Sequence, residues 1–189
     1  MDKKVNVLIV DGGSKDGSIE KLINESGINF IFQNHGNRKV SEQLQIGYKF
    51  AIDNSYLGII TIDGNNKDDP SFILDFIEHL KSGYDFVQGS RYVKGGKSIN
   101  LPFSRKLLIK SIHVPIMNFF SNFHWTDTTQ GFRGYSIKLI KNRNLDIFSK
   151  DLKNYELLIW TTLCSHDLGL KCIEIPTIRT YPKNKVNSK

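Results

Sequence analysis

At 189 residues, with 39% apolar and 24% charged residues, the chain has the composition of one globular domain and is neither a disordered tract nor a bundle of bilayer-spanning segments. No apolar run approaches the roughly 20 residues that a spanning helix needs. The net charge of +7, with basic residues bunched at 105–110, 138–143 and 179–189, suits an anionic partner. Nucleic acid, anionic lipid and phosphorylated substrates would each account for it, and for most single lysines plain solvated surface is the simpler reading.

In chain order, the charged start Met1-Asp-Lys-Lys is followed by a short apolar run that ends at Asp11, not at a cleavage site, and so reads as a strand over Asn6–Val10. Four apolar residues in a row suit a strand covered on both faces. Gly12 and Gly13 then permit a tight turn, and Ser14, Asp16 or Ser18 can cap a helix over 17–25. Further strands are predicted at Ile28–Phe32, Leu57–Ile62, Asp85–Gln88 and Cys172–Ile175, and further helices at 40–53, 71–81, 104–122 and 154–167. This alternation predicts a layered α/β domain with a largely parallel sheet, spanning 1–189 without repeat or linker. The basic end, from Arg179 to Lys189, reads as a loop or tail, and Cys164 and Cys172 read as reduced thiols of a cytoplasmic protein.

In such sheets ligands bind beyond the carboxyl ends of the strands, which draws attention to Asp11 and Asp63. Asp63 with Asn65, in "TIDGNNKDDP", offers alternate oxygens to a hard divalent cation. The plain alternative lets Asp63 end a strand while Asp68 or Asp69 caps the helix begun at Pro70. The segment "QGSRYVKGG" carries Arg91 out of a strand into a glycine-rich loop, where a guanidinium fork suits phosphate. Asp127 and Arg133 bracket the polar turn "TDTTQGFRGY". Over 104–122, Leu108, Ile112, Ile116, Phe119 and Phe123 recur at helical spacing, with Arg105, Lys106 and Lys110 near the start. Either a bilayer-interface helix or a core helix bent at Pro115 fits this pattern.

Taken together, "VDGGSKDGS", "TIDGNNKDDP", "GSRYVKGG", "SRK", "DTTQGFRGY" and "EIPTIRTYPKNKVNSK" follow one another as in the family 2 glycosyltransferases of the GT-A fold. The chain resembles in particular the polyprenyl-phosphate sugar transferases of the dolichol-phosphate mannose synthase type. The resemblance implies a three-layer α/β/α domain that moves a sugar, with inversion, from a UDP- or GDP-sugar to a polyprenyl phosphate in cell-envelope synthesis. It further implies that Asp11, Gly12, Gly13 and Ser14 shape the nucleotide pocket and that Asp63 approaches ribose and metal, Mg2+ or Mn2+, with Asn65. Arg91 and Arg105 would meet phosphates, and Asp127 and Arg133 would line the acceptor side. Localisation at the inner face of the cytoplasmic membrane, by peripheral contact, is the corresponding expectation.

Three departures qualify it. The usual second carboxylate of Asp-x-Asp is Asn65; Lys67 stands where relatives carry glutamine, so that its ammonium is expected to replace part of the metal's charge; and only six residues precede the first strand, where relatives carry an additional strand and helix. The absent strand is expected in mid-sheet, beside those ending at Asp11 and Asp63, so a shortened, non-catalytic domain that binds nucleotide-sugar or a partner is the alternative. A nucleotidyltransferase would need a basic, glycine-rich loop after its first strand, and nucleic-acid binding would need aromatics interleaved with a basic face; neither pattern is present.

Overall fold

A computed structural model describes residues 5–183 apart from 24, 26 and 34–38. The opening apolar run forms β1 (Val7–Asp11), parallel to β2 (Ile28–Gln33). Between them lies the short helix α1 (Ser18–Leu22), whose first turn is held by Asp16 accepting from the Ser18 amide at 3.1 Å. Of the helix expected over 17–25, Asn24 lies outside the described residues. Helix α2 (Val40–Asp53) has the expected bounds and leads to β3 (Gly58–Thr61). Pro70 opens a 3-10 turn that runs into α3 (Ile73–Lys81); its cap is Asp69, which accepts from the Ser71 amide at 2.9 Å, and not Asp68.

The central sheet holds β3, then β6 (Arg133–Ser136), β4 (Phe86–Ser90) and β7 (Cys172–Pro176) in that spatial order. β7 runs parallel to β4, and β6 runs antiparallel to both of its neighbours, so β3, β4 and β7 share one direction. The sheet is thus parallel apart from β6, which the sequence reading took for the end of a polar turn. Four residues give too short a period to announce a strand. Gly134 explains why it can sit there: a Cβ would come within 3.2 Å of Phe76 and 3.3 Å of Leu80, both on α3. Tyr135, on the other face, packs with Tyr48, Phe86, Trp125 and Leu139.

Helices cover both faces. Phe76 of α3 stacks on Phe132 and, with Val87 and Ile175, closes one side. α2, α6 (Ile137–Ile140) and α7 (Glu156–Cys164) close the other, over a larger cluster that includes Trp125 and Leu157. This is the expected α/β/α sandwich. A second departure from expectation lies at the basic end: Ile178–Thr180 is strand β8, parallel to β5 (Lys97–Ile99), and only residues 184–189 lie outside the described set.

Among the described residues β1 pairs only with β2, and β3 only with β6. Among the described residues no strand pairs with both β1 and β3, where the resemblance expects one. The two sheets are connected instead by α2, which packs on both strands, and by a side-chain hydrogen bond from Asn6 Nδ2 to the Tyr56 hydroxyl.

The predicted helix over 104–122 is α4 (Phe103–Leu108), a π-helical turn at Ile109–His113 and α5 (Val114–Phe120). Pro115 has no N–H for the preceding turn, and the widened turn just before it absorbs the misfit. Ile109 and Met117 face inward, whereas Leu108, Ile112 and Ile116 are about half exposed and Phe119 is 82% exposed. The apolar stripe therefore faces outward, except for Phe123, which turns in against Trp125 with ring centroids 4.2 Å apart.

Candidate functional site

Because β3, β4 and β7 run one way and β6 the other, the carboxyl ends of the first three and the amino end of the last share one edge of the sheet. That edge carries Asp63 after β3, Arg91 after β4, the 127–132 loop before β6, and Arg179 and Tyr181 after β7. The sandwich thus assembles from four distant segments what the sequence shows only as separate polar turns. The starts of β1 and β3 are tied by Asn6 and Tyr56, and α2 packs on both strands.

Asp11 organises its own turn. Its carboxylate accepts from the Gly13 amide at 3.0 Å, from the Ser14 amide at 3.0 Å and from the Ser14 hydroxyl. Burial pushes its pKa up, but these hydrogen bonds, chiefly from Ser14, outweigh it and hold Asp11 below the ordinary carboxylate value. Gly12 and Gly13 form the half-exposed wall of this turn.

Asp127 is fully buried and locked to Arg91: Oδ2 takes Nε at 2.6 Å and Oδ1 takes Nη2 at 2.8 Å, a fork-to-carboxylate pair. The Arg91 guanidinium also reaches Thr129 Oγ1 and the Tyr181 hydroxyl. Arg133 is equally buried and donates to three backbone carbonyls, of Gln130 at 2.9 Å, Leu158 at 2.7 Å and Thr128 at 3.0 Å. The expectation that Arg91 and Arg133 touch substrate thus meets a physical obstacle, since protein acceptors already engage both guanidinium groups. Together with Asp127 they hold the 127–132 loop in shape. Behind them Glu174 of β7 accepts from the Thr126 and Asp127 amides, each at 2.8 Å, and burial pushes its pKa up to about 7.

Arg105 differs. It is exposed on the first turn of α4 and has no carboxylate partner among the described residues. Its guanidinium lies 5.6 Å from the centre of the Tyr181 ring. Lys67 Nζ lies 5.8 Å and the Arg179 guanidinium 5.9 Å from the same ring. Tyr181 carries no motif that singles it out in the sequence: an aromatic inside a basic run is the available signal, but the run reads as a tail.

Arg179 joins Asp63 Oδ2 at 3.1 Å and Asp68, so one guanidinium bridges two carboxylates. Asp68 is buried and its Oδ1 has no hydrogen-bond partner among the described residues. Burial raises its pKa, an effect that Arg179 only partly offsets. Gly131 lets the 127–132 loop lie directly against Asp63, because a Cβ there would fall 2.4 Å from Asp63 Oδ1.

The Mg2+ or Mn2+ expected at Asp63 and Asn65 can be tested on this donor set. Asp63 already faces a guanidinium, and the Asn65 amide nitrogen, not its oxygen, turns toward Asp63 at 3.4 Å. The Asn65 oxygen accepts from the Lys67 amide at 3.2 Å. Among the described residues no three His, Cys, Asp or Glu side chains are grouped to hold an ion. A single carboxylate, neutralised by arginine and flanked by an amide donor, does not fit a hard divalent cation that takes six or more oxygens.

Comparison with known proteins agrees with this architecture. The chain is 25% identical to an undecaprenyl-phosphate mannosyltransferase of Micrococcus luteus over 177 residues, which is 90% of this chain and 70% of that protein. It is likewise 25% identical to a polyprenol monophosphomannose synthase of Mycolicibacterium smegmatis over 178 residues, covering 92% of this chain and 66% of that protein. A dolichol-phosphate mannosyltransferase of Pyrococcus furiosus is 34% identical over 107 residues, 55% of this chain and 29% of that protein. The family model for glycosyl transferase family 2 matches residues 1–146, and with the sheet edge described above it makes this chain a member of glycosyltransferase family 2.

Proposed function

We propose that this chain transfers a sugar, with mannose the first to test, from a nucleoside diphosphate donor to a polyprenyl phosphate at a membrane surface. One observation carries the reading: Arg105 belongs both to the cationic group around Tyr181 and to the first turn of a helix whose apolar side is exposed. An apolar surface for the acceptor's tail thus begins beside the cations that would face the donor's diphosphate, as transfer between a nucleotide-sugar and a lipid phosphate requires. The names of the three relatives, each a transferase or synthase acting with undecaprenyl phosphate, polyprenol or dolichol phosphate, support the same choice.

The chemistry asks little of the protein beyond placement and charge. An acceptor phosphate oxygen, already anionic, attacks the anomeric carbon from the face opposite the diphosphate. The bond from that carbon to the diphosphate oxygen breaks, its electron pair leaves with the nucleoside diphosphate, and the sugar configuration inverts. No general base is required, and cations at the leaving group stabilise the developing charge. Asp11 with the Gly12-Gly13-Ser14 turn would hold the nucleoside, Asp63 would approach the ribose, and the Arg91–Asp127 pair with Arg133 would keep the intervening loop in place. No helix of the described residues is long and apolar enough to cross a membrane. The contact proposed is through the exposed apolar side of α4 and α5, at the cytoplasmic face.

The test is conversion. The chain is incubated with GDP-mannose or UDP-sugars and polyprenyl phosphate in vesicles of anionic phospholipid, and the lipid fraction is assayed for a phosphate-linked sugar. Sugar transfer that falls at least tenfold in Phe119→Asp, together with vesicle binding, is the expected result. A folded chain that binds donor and never forms the product would overturn transfer and favour the second reading, a non-catalytic nucleotide-sugar-binding domain. That β1 and β3 each have a single paired neighbour among the described residues is the observation behind that alternative.

A further inference from the structure

The poor fit of the Asp63 region to a divalent cation leaves a question the fold itself answers: what would face the charge of a leaving diphosphate? Three cationic groups lie within 6 Å of the centre of one aromatic ring, Lys67 at 5.8 Å, Arg105 at 5.6 Å and Arg179 at 5.9 Å from Tyr181, and Arg91 donates to its hydroxyl. Two of these four have carboxylate partners: Arg91 is paired with Asp127, and Arg179 with Asp63 and Asp68. Lys67 and Arg105 have none among the described residues. Like charges gathered on one ring repel, and the ring's quadrupole offsets only a small part of this. An anion between them would remove the repulsion.

The backbone fixes this group firmly. The Thr180 amide donates to the Lys67 carbonyl at 2.8 Å and the Asp69 amide to the Ile178 carbonyl at 3.2 Å, so the segment carrying Lys67 is laced to the strand that leads into Tyr181. The Tyr181 amide donates to the Ile99 carbonyl at 2.9 Å, and the Asn100 side chain to the Tyr181 carbonyl at 3.2 Å, which ties the ring to the loop preceding α4 and Arg105. Residues far apart in sequence are thus held on one rigid platform, at the strand end where Asp63 sits.

We propose that Lys67 and Arg105, gathered on Tyr181, bind the diphosphate of a nucleoside diphosphate directly, without a divalent metal. Arg179 serves the same arrangement from behind, as the internal counter-charge that keeps Asp63 and Asp68 from repelling the ligand. This deepens the nucleotide-sugar reading above and rests on it.

Calorimetric titration of the whole chain with guanosine diphosphate, uridine diphosphate, inorganic diphosphate and polyprenyl phosphate, each in EDTA and in manganese, separates the possibilities. The expected result is binding of a nucleoside diphosphate that changes less than about twofold between EDTA and manganese, with Lys67→Ala and Arg105→Ala each weakening it about tenfold, one charge-assisted contact apiece. Lys67→Arg should restore most of the loss, and neither alanine variant should alter binding of the corresponding nucleoside or the melting temperature. Binding that appears only with manganese, or is unchanged in both alanine variants, overturns the metal-free site while leaving the nucleotide reading intact. Variants that weaken only polyprenyl phosphate overturn the donor assignment, the platform then belonging to the acceptor. Absence of nucleotide binding under every condition, by a folded chain, sinks the nucleotide-sugar reading itself.

Discussion

The four-stranded sheet and the pair β1–β2 are built from similar apolar residues and meet very different fates. Every residue of β4 is buried, because β6 and β7 flank it and helices cover both of its faces. In β1 and β2, with one neighbour each among the described residues, Val7 is 46% and Phe32 is 43% exposed, although both belong to runs as apolar as that of β4. Burial is therefore a property of position in the sheet, and strand composition alone does not confer it. It follows that the half of the site resting on the central sheet, from Asp63 to Tyr181, is held more rigidly than the Asp11 turn.

The largest expected effect lies at the centre of the rigid half. Asp127→Ala leaves the Arg91 guanidinium buried without its carboxylate, which should cost about 3–5 kcal/mol in urea unfolding. A loss below about 1 kcal/mol would mean that the pair is solvated and the two halves are more alike than described. A matched pair of truncations sharpens the contrast. Phe86→Ala should cost about 3–5 kcal/mol, since its ring is fully buried between Tyr135 and Trp125. Phe32→Ala, which loses an edge contact with Phe50 and little burial, should cost about 1 kcal/mol. Equal losses would erase the distinction between the sheets.

The smallest effect is a pH dependence confined to the central sheet. Burial raises Glu174 to about 7, above the ordinary value of 4.5. A carboxyl whose folded pKa is raised binds its proton more tightly when folded, so its contribution to stability is fully present below about pH 4.5 and is lost as pH rises through about 7. The expected loss is of order 1–3 kcal/mol, read as a fall in the urea midpoint between pH 5 and pH 8 that Glu174→Gln flattens. His113, whose pKa is lowered by burial, acts in the opposite direction, so the difference between wild type and variant is the quantity to follow. No difference would place Glu174 in water.

Much of the fold could be read directly. Helix α2 and strands β1, β2, β4 and β7 lie within a residue or two of their expected bounds, because each carries a full period of apolar residues or a buried run. β6 and β8 could not be read in this way. Arg133-Gly-Tyr-Ser136 and Ile178-Arg-Thr180 are too short and too polar to show alternation, and they become strands only because a neighbour supplies the ladder. The site divides similarly. Asp11, Asp63 and Arg105 could be found as polar residues following apolar runs or opening a helix. That Arg91 and Arg133 face protein acceptors, and that Arg179 bridges Asp63 to Asp68, could not, since each depends at least in part on a partner 25 or more residues away along the chain.

The sequence by itself determined the layered α/β class, the order of its motifs and the clustering of basic residues, because these depend on local periodicity and composition. Only the tertiary structure decided which cations remain without a carboxylate partner among the described residues, which way the apolar side of the 103–120 helix faces, and which strands pair. Those are outcomes of pairing between distant segments. A guanidinium looks the same in the sequence whether a buried carboxylate or the solvent lies beside it.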